Sequence, residues 1–498
     1  MLKNLLVHPF LFPLFPVLFL FQYNIHEIPL QDVFLPLFFS FVVGFTLWIV
    51  LRFFIGGKKA GLITSLVIML FIIFSNLHMF ILNSNTDFSF LGRTSILGAT
   101  MLALLVVGIV YLIKSKRIFD NLNSITNVIA LSLIGFLVMS ISVYYVENPI
   151  DYSITYFSEE LPDSIDNVTI KPDIYYFIFD EYAGHVTLEQ DFDYDNSAFL
   201  KELDERGFHV PDISYSNYPN SLESIASTLN MGYLDILTEE LGQNSKDLRL
   251  PTEIRDNNLA MNFLKLYDYK IVSFYGGLGA AGTTALVNEK LCSYLGINND
   301  LRTKFILTYF PITYLNDSLI HANHREKIEC IFSTVPNIHG TDEEAVFVMA
   351  HFLFPHEPYI YDSKGNPVTE RKAWEDKDAY LQQLQYANTR ILELVDKTLE
   401  NSDRESVIIV MSDHGFRPGT DWENPSQENY RAVFNNLGAY YIPNQINDMP
   451  ETISGVNVFR IIFNSYFGTE YELLEDKQFF FNPEKPFIYF DVSGNLSG

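Results

Sequence analysis

Basic residues are scarce in this 498-residue chain: 33 Lys and Arg stand against 60 Asp and Glu, a formal charge of −27. A nucleic-acid binder needs a basic face for the phosphates, so this balance argues against that class of partner. Cysteine is rarer still. Cys292 and Cys330 are the only two, so at most one disulfide can form, and two separate buried thiols are the alternative. No internal repeat or low-complexity tract is present. Asp, Glu, Lys and Arg are absent from five long apolar runs near 5–21, 33–51, 61–82, 95–113 and 125–146, where only His8, Asn76, His78 and Asn127 are markedly polar. Ion and proton pathways use intramembrane charge, so its absence argues against a transporter.

Each run approaches the ~20 residues with which a helix crosses about 30 Å of hydrocarbon. The first contains Pro13 and Pro16, and a signal peptide is its alternative; Gln22-Tyr23-Asn24 is a poor cleavage site, so it reads as an uncleaved span. Arg52, Lys58 and Lys59 lie between the second and third runs, and Lys114, Lys116 and Arg117 between the fourth and fifth. The alternate loops hold Glu27 and Asp32, or Asp87 and Arg93. Basic loops stay in the cytoplasm, which places the N-terminus inside a plasma or inner membrane and everything after Val146 outside it. Only eight basic and five acidic residues fall in 1–150, so the acidity belongs to the remainder, whose net charge is about −30. Residues 1–146 thus read as a five-helix transmembrane anchor, 147–170 as a linker and 171–498 as an extracytoplasmic domain.

In that domain strands and helices alternate. The patterns predict helices over 197–206, 257–267 and 376–400, and strands over 270–275, 344–350, 406–412 and 437–442. Leu381, Leu384, Ile391, Leu394, Val395 and Leu399 trace one face of the 376–400 helix. Such alternation predicts an α/β fold, with a mostly parallel central sheet flanked by helices.

Two of the apolar strands end in ligand-type residues. Residues 172–181 run into Asp180 and Glu181, and 406–415 into Ser412-Asp413-His414-Gly415. Parallel strands bring their C-terminal tips together, so Asp180, Asp413 and His414 are expected to converge on a divalent metal, zinc or manganese. Two carboxylates and one imidazole leave room for a nucleophile or substrate oxygen, the arrangement of a catalytic site. Residues 218–231 read as a turn opening a helix, with Ser221 at its N-terminus, where free amides cradle an anion. An ordinary serine cap is the alternative, but a metal ion beside such a serine would lower the pKa of its hydroxyl. His356, between Pro355 and Pro358, is placed to bond a substrate oxygen or protonate a leaving group. His321 and His324 sit beside Arg325, Glu326 and Lys327 and read as surface.

The ordered set Asp180, Ser221, His356-x-Pro358 and Ser412-Asp413-His414-Gly415 resembles the sulfatase branch of the alkaline phosphatase superfamily over roughly residues 170–445. Five spans followed by such a domain further resemble lipoteichoic acid synthases and lipid A phosphoethanolamine transferases. The resemblance implies metal binding by Asp180, Asp413 and His414 with Ser221 as fourth ligand, a covalently phosphorylated nucleophile at Ser221 (Ser224 and Thr228, one and two turns on, are the alternatives), and contact from His356 to the transferred group or its leaving oxygen. One departure matters: Leu222-Glu223-Ser224-Ile225 lacks the Pro or Ala and the Arg that direct formylglycine formation. Ordinary sulfate-ester hydrolysis is therefore not expected, and a bare serine suits phosphoryl transfer. Glu181 is a second ligand or a loop cap, and Arg431 a clamp on the substrate anion. The expected activity is transfer of phosphoglycerol or phosphoethanolamine from a phospholipid donor to a glycan or lipid acceptor. A phosphate- or sulfate-ester hydrolase and an inactive envelope scaffold are the alternatives.

Overall fold

The computed structural model describes residues 5–28, 30–82, 94–115, 119–149, 170–274, 286–292, 317–443 and 449–496. They fall into two compact units, the first holding the described residues up to 149 and the second those from 170. Most of the expected linker lies outside the described residues.

The first unit is helical: α1 (His8–Leu11), α2 (Leu14–Tyr23), α3 (Phe34–Ile55), α4 (Gly57–Leu82), α5 (Thr94–Lys114) and α6 (Asp120–Glu147). The last four are long and apolar enough to cross a membrane. The first expected run is instead interrupted at Phe12–Pro13, where proline supplies no N–H to the helical ladder. The ten residues of α2 extend about 15 Å, half the hydrocarbon thickness. Outward faces carry large apolar side chains such as Phe34, Phe38, Phe53 and Phe54, between 60 and 82 % exposed. Water would penalise that surface at about 25 cal/mol per Å²; lipid does not. His8 and Asn127 of the apolar runs turn inward. His8 is buried, with Nδ1 2.6 Å from Ser65 Oγ and Nε2 3.2 Å from Asn123 Oδ1. Asn127 Oδ1 accepts the backbone N–H groups of Val7 and His8, so α1 enters with its amides satisfied.

The second unit is built on a six-stranded sheet: β1 (Asp173–Phe179), β2 (Lys270–Phe274), β3 (Glu289–Leu291), β4 (Val346–Phe352), β5 (Ser406–Met411) and β6 (Gly438–Tyr441). Their order is β3-β2-β4-β1-β5-β6, parallel throughout except for the antiparallel edge pair β5–β6. The mostly parallel sheet is as the alternating pattern requires. All seven residues of β1 are buried, and alternate ones serve opposite faces. Ile174, Tyr176 and Ile178 join Phe347 and Met349 of β4 and Val407, Ile409 and Met411 of β5. Three helices follow β1: α7 (His185–Phe192), α8 (Ser197–Glu205) and α9 (Ser221–Asn230). Ile225 and Leu229 of α9 cover that first face, with Phe459 and Phe463 from helix Gly455–Phe467. Tyr175, Phe177 and Phe179 meet Leu384, Ile391, Leu394 and Val395 of helix Lys377–Asn401 on the other. Each such side chain contributes roughly 1.5–3 kcal/mol by leaving water.

Asp376 caps the Lys377–Asn401 helix by accepting from Ala379 N at 3.0 Å, as the polar start of that segment foretells. The strand expected at 344–350 runs two residues later, which brings His351 inside it. Cys292 and Cys330 form a disulfide with Cα atoms 5.8 Å apart, joining the end of β3 to helix Asp317–Thr334. His321 and His324 on that helix correct the surface reading. His321 is buried and His324 half-buried, and their ring nitrogens stand 3.0 Å from the carbonyls of Val368 and Leu353. Burial pushes the His324 imidazole down to about 4.

Candidate active site

Chain topology alone brings the ligand-type residues together. β1 sits between β4 and β5, with Phe179 opposite Phe352 and Ile178 opposite Met411, so three strand tips end side by side. The chain leaves β1 toward one side of the sheet and returns to its other side at β5, a crevice of the kind where α/β sheets bind ligands. Continuing the alternation past the strand ends puts Asp180 in the stripe of Ile178, and Asp413 in that of Met411, on the face α9 covers.

Asp180, Asp413 and His414 each offer a ligand atom within 4.8 Å of the others, and all three residues are buried. His414 Nδ1 lies 2.8 Å from the carbonyl of Gly415 and must donate to it, which leaves Nε2 with a free lone pair. Asp413 Oδ1 accepts the backbone N–H groups of Glu181 at 3.2 Å and His414 at 3.0 Å. Its Oδ2, and Asp180 Oδ1, are buried with no hydrogen-bond partner among the described residues. Gly415 is obligatory, because a Cβ there would overlap the carbonyl oxygens of Ala432 and Asn435.

Ser221 is the first helical residue of α9; Asn220 holds the cap position in extended conformation. Its hydroxyl is therefore free of capping, and Oγ stands 3.4 Å from His414 Nε2. From the same nitrogen, Asp413 Oδ2 is 3.6 Å and Asp180 Oδ1 3.7 Å away. Ligands about 2.0–2.2 Å from a tetrahedral zinc are separated by about 3.3–3.6 Å. One serine, two carboxylates and an imidazole thus outline a cradle of the right size, with orphaned oxygens facing it. Ser224 and Thr228 are buried farther along α9.

Sequence reading missed four residues. His351, the penultimate residue of β4, is wholly buried, with Nε2 3.4 Å from Asp180 Oδ2 and 3.7 Å from Asp413 Oδ2. Burial opposes its charge, but Asp180 and Asp413 outweigh that and raise its pKa. Burial also pushes the Asp180 carboxyl upward, yet His356, His351 and His414 overcome it and hold the group below the usual carboxylate range. An imidazole ending the apolar Val346–Ala350 run was the available signal.

Glu181 does not join Asp180. Its backbone is left-handed, φ 62°, a conformation costing a non-glycine residue about 1 kcal/mol or more. The two acids diverge, and Glu181 reaches the opposite wall. There Oε2 accepts from Trp374 Nε1 at 2.8 Å and Oε1 from Arg417 N at 3.2 Å. His356 Nε2 lies 3.7 Å from Oε2, and its own backbone N–H reaches the Asp180 carbonyl at 3.2 Å. Burial opposes protonation of His356, but Glu181 and Asp180 outweigh it and lift its pKa. The Arg417 guanidinium lies 5.6 Å from the Trp374 ring centroid and bonds Asn220 beside Ser221. Glu223, two residues past Ser221, is fully buried with both oxygens unpartnered among the described residues, and burial raises it to about 7. Arg431, the clamp the sequence suggested, is paired with Asp191 at 2.5 Å rather than with the Asp180–Asp413–His414 group.

No family model and no curated protein matches the chain. Among solved structures it is similar to the C-terminal periplasmic domain of EcEptC from Escherichia coli, at TM-score 0.42 and 14% identity over 67% of this chain and 97% of that one. A structure of that domain in complex with Zn gives the same values. The integral membrane lipooligosaccharide phosphoethanolamine transferase A (EptA) from Neisseria meningitidis is similar at TM-score 0.36 and 11% identity, over 92% of this chain and 95% of that one.

Proposed function

We propose that the second unit is an extracytoplasmic, metal-dependent phosphotransferase, tethered to a plasma or inner membrane by the first, with the N-terminus in the cytoplasm. Its substrates are a phospholipid donor and a glycan or lipid acceptor, and the moved group is phosphoglycerol or phosphoethanolamine. The observation that carries this reading is the meeting of Ser221 Oγ with Asp180, Asp413 and His414 at cation-cradle spacing.

A zinc or manganese ion held by these four residues would supply the positive charge that favours the serine alkoxide and offsets charge on phosphorus. Ser221 Oγ attacks the phosphorus, and the Oγ–P bond forms as the bond to the donor's lipid oxygen breaks. His356, its protonated form favoured by Glu181 and Asp180, gives its proton to that leaving oxygen. N–H groups at the start of α9, which no intrahelical carbonyl engages, hold the non-bridging oxygens. An acceptor hydroxyl then attacks the phosphoserine, passing its proton back to His356 as the Oγ–P bond breaks.

Incubating the full chain with phosphatidylglycerol or phosphatidylethanolamine vesicles and sequencing the 218–231 peptide by mass spectrometry tests this. The expected result is a headgroup increment on Ser221, lost in Ser221→Ala while metal content is retained. An increment on Ser224, or full turnover by the Ser221→Ala protein, refutes the assignment; delivery of the group to water alone makes the protein a hydrolase.

A further inference from the structure

The wall facing the cation cradle contains a permanent positive charge that the reaction as described leaves unused. Arg417 follows the Ser412–Gly415 motif by two residues, and its side chain is 18 % exposed. Three contacts fix it. Its guanidinium lies against the Trp374 ring, one amine bonds Asn220 immediately before Ser221, and its Nε stands 3.9 Å from Glu181 Oε1. Trp374 is itself fixed, since its indole N–H donates to Glu181 and its carbonyl accepts from Tyr359 Oη at 2.6 Å. The Arg417 Nε–H has no hydrogen-bond acceptor among the described residues, and the 3.9 Å separation is too long for one. A half-buried guanidinium next to the nucleophile's cap residue, with a buried Nε–H that no described residue accepts, is chemically suited to an anion.

We propose that Arg417, braced by Trp374 and Glu181, is the specificity-determining residue that donates to a non-bridging oxygen of the phosphoryl group on Ser221. This rests on the phosphotransferase reading and deepens it. The substrate class is then a tetrahedral oxyanion ester with a charged oxygen left over after those facing the cation cradle are neutralised. Trp374 and Glu181 are positioning residues, acting through the guanidinium.

Inorganic phosphate is the probe, titrated calorimetrically into detergent-solubilised full chain with and without zinc. Wild type is expected to bind phosphate. Arg417→Gln should weaken it about 10- to 100-fold, the loss of a charge-assisted hydrogen bond, and Arg417→Lys should fall between them. Zinc stoichiometry and the thermal transition of each variant show that the fold and cradle survive, so weaker binding reports the guanidinium itself. Unchanged phosphate affinity in Arg417→Gln with zinc retained overturns this inference and leaves the phosphotransferase reading standing, as does loss of binding in Arg431→Gln alone. A wild type that binds neither zinc nor manganese sinks the phosphotransferase reading. In that case the zinc-free titration still decides on Arg417: weaker phosphate binding in Arg417→Gln supports the assignment, and equal or absent binding overturns it.

Discussion

Replacing Asp413 with asparagine separates cation binding from folding. The carboxylate's two oxygens have different work: Oδ1 accepts from Glu181 N and His414 N, while Oδ2 is buried and unpartnered among the described residues. Asparagine keeps the first oxygen and presents an NH₂ group in place of the second, repelling a cation without opening a cavity. Spacings of 3.4, 3.6 and 3.7 Å from His414 Nε2 match those between tetrahedral vertices about 2.1–2.3 Å from their centre, close to zinc's preference. Zinc at a hundredfold its Kd stabilises a native state that alone binds it by about 2.7 kcal/mol. For a unit of this size that is a rise in Tm of roughly 4 °C. Thermal melts of wild type with zinc and with chelator should differ by about that much. Those of Asp413→Asn should coincide and lie no lower than chelated wild type, because a buried carboxylate has been removed from beside Asp180. Equal wild-type melts, or a full zinc response in the asparagine variant, would show that the three ligands do not share a cation.

Burial raises Glu223 to about 7 from an unfolded value near 4.5, so the folded state holds a proton that the unfolded chain has released. Its contribution to stability is whole below pH 4.5 and is lost progressively as pH rises to 7, on the order of 3 kcal/mol at most. Melts of Glu223→Gln against wild type should diverge in favour of glutamine across that window; parallel curves would refute the burial. The Cys292–Cys330 bond closes a separation of 38 residues, so Cys330→Ser should lose about 4 kcal/mol, seen as a fall in Tm that reductant reproduces in wild type. No change with reductant would mean the bond does not constrain the unfolded chain.

The sheet was legible because a buried strand needs a continuous apolar run, and the 172–181 and 406–415 runs are long and bounded by polar residues. The meeting of Asp180 with Asp413 and His414 followed from parallel pairing, since equal-length neighbours must end together. Ser221 was legible through its helix start, although it stands one position inside the cap. His351 was not, because periodicity blurs at strand ends and the expected strand stopped one residue short. Arg417 and Trp374 carry no local pattern; their meeting depends on Glu181, whose left-handed backbone no propensity anticipates. Arg431 shows the converse. Its sequence neighbourhood suits a clamp, but α7 presents Asp191 to it first.

That kink at the end of β1 makes neighbouring acids inequivalent. Sliding β1 by a single position would carry the longer acid toward α9 and turn the shorter one against indole and guanidinium, undoing both walls at once. The order aspartate-then-glutamate is thus a registration mark for the whole sheet: the central strand has only one placement in which the crevice is chemically complete.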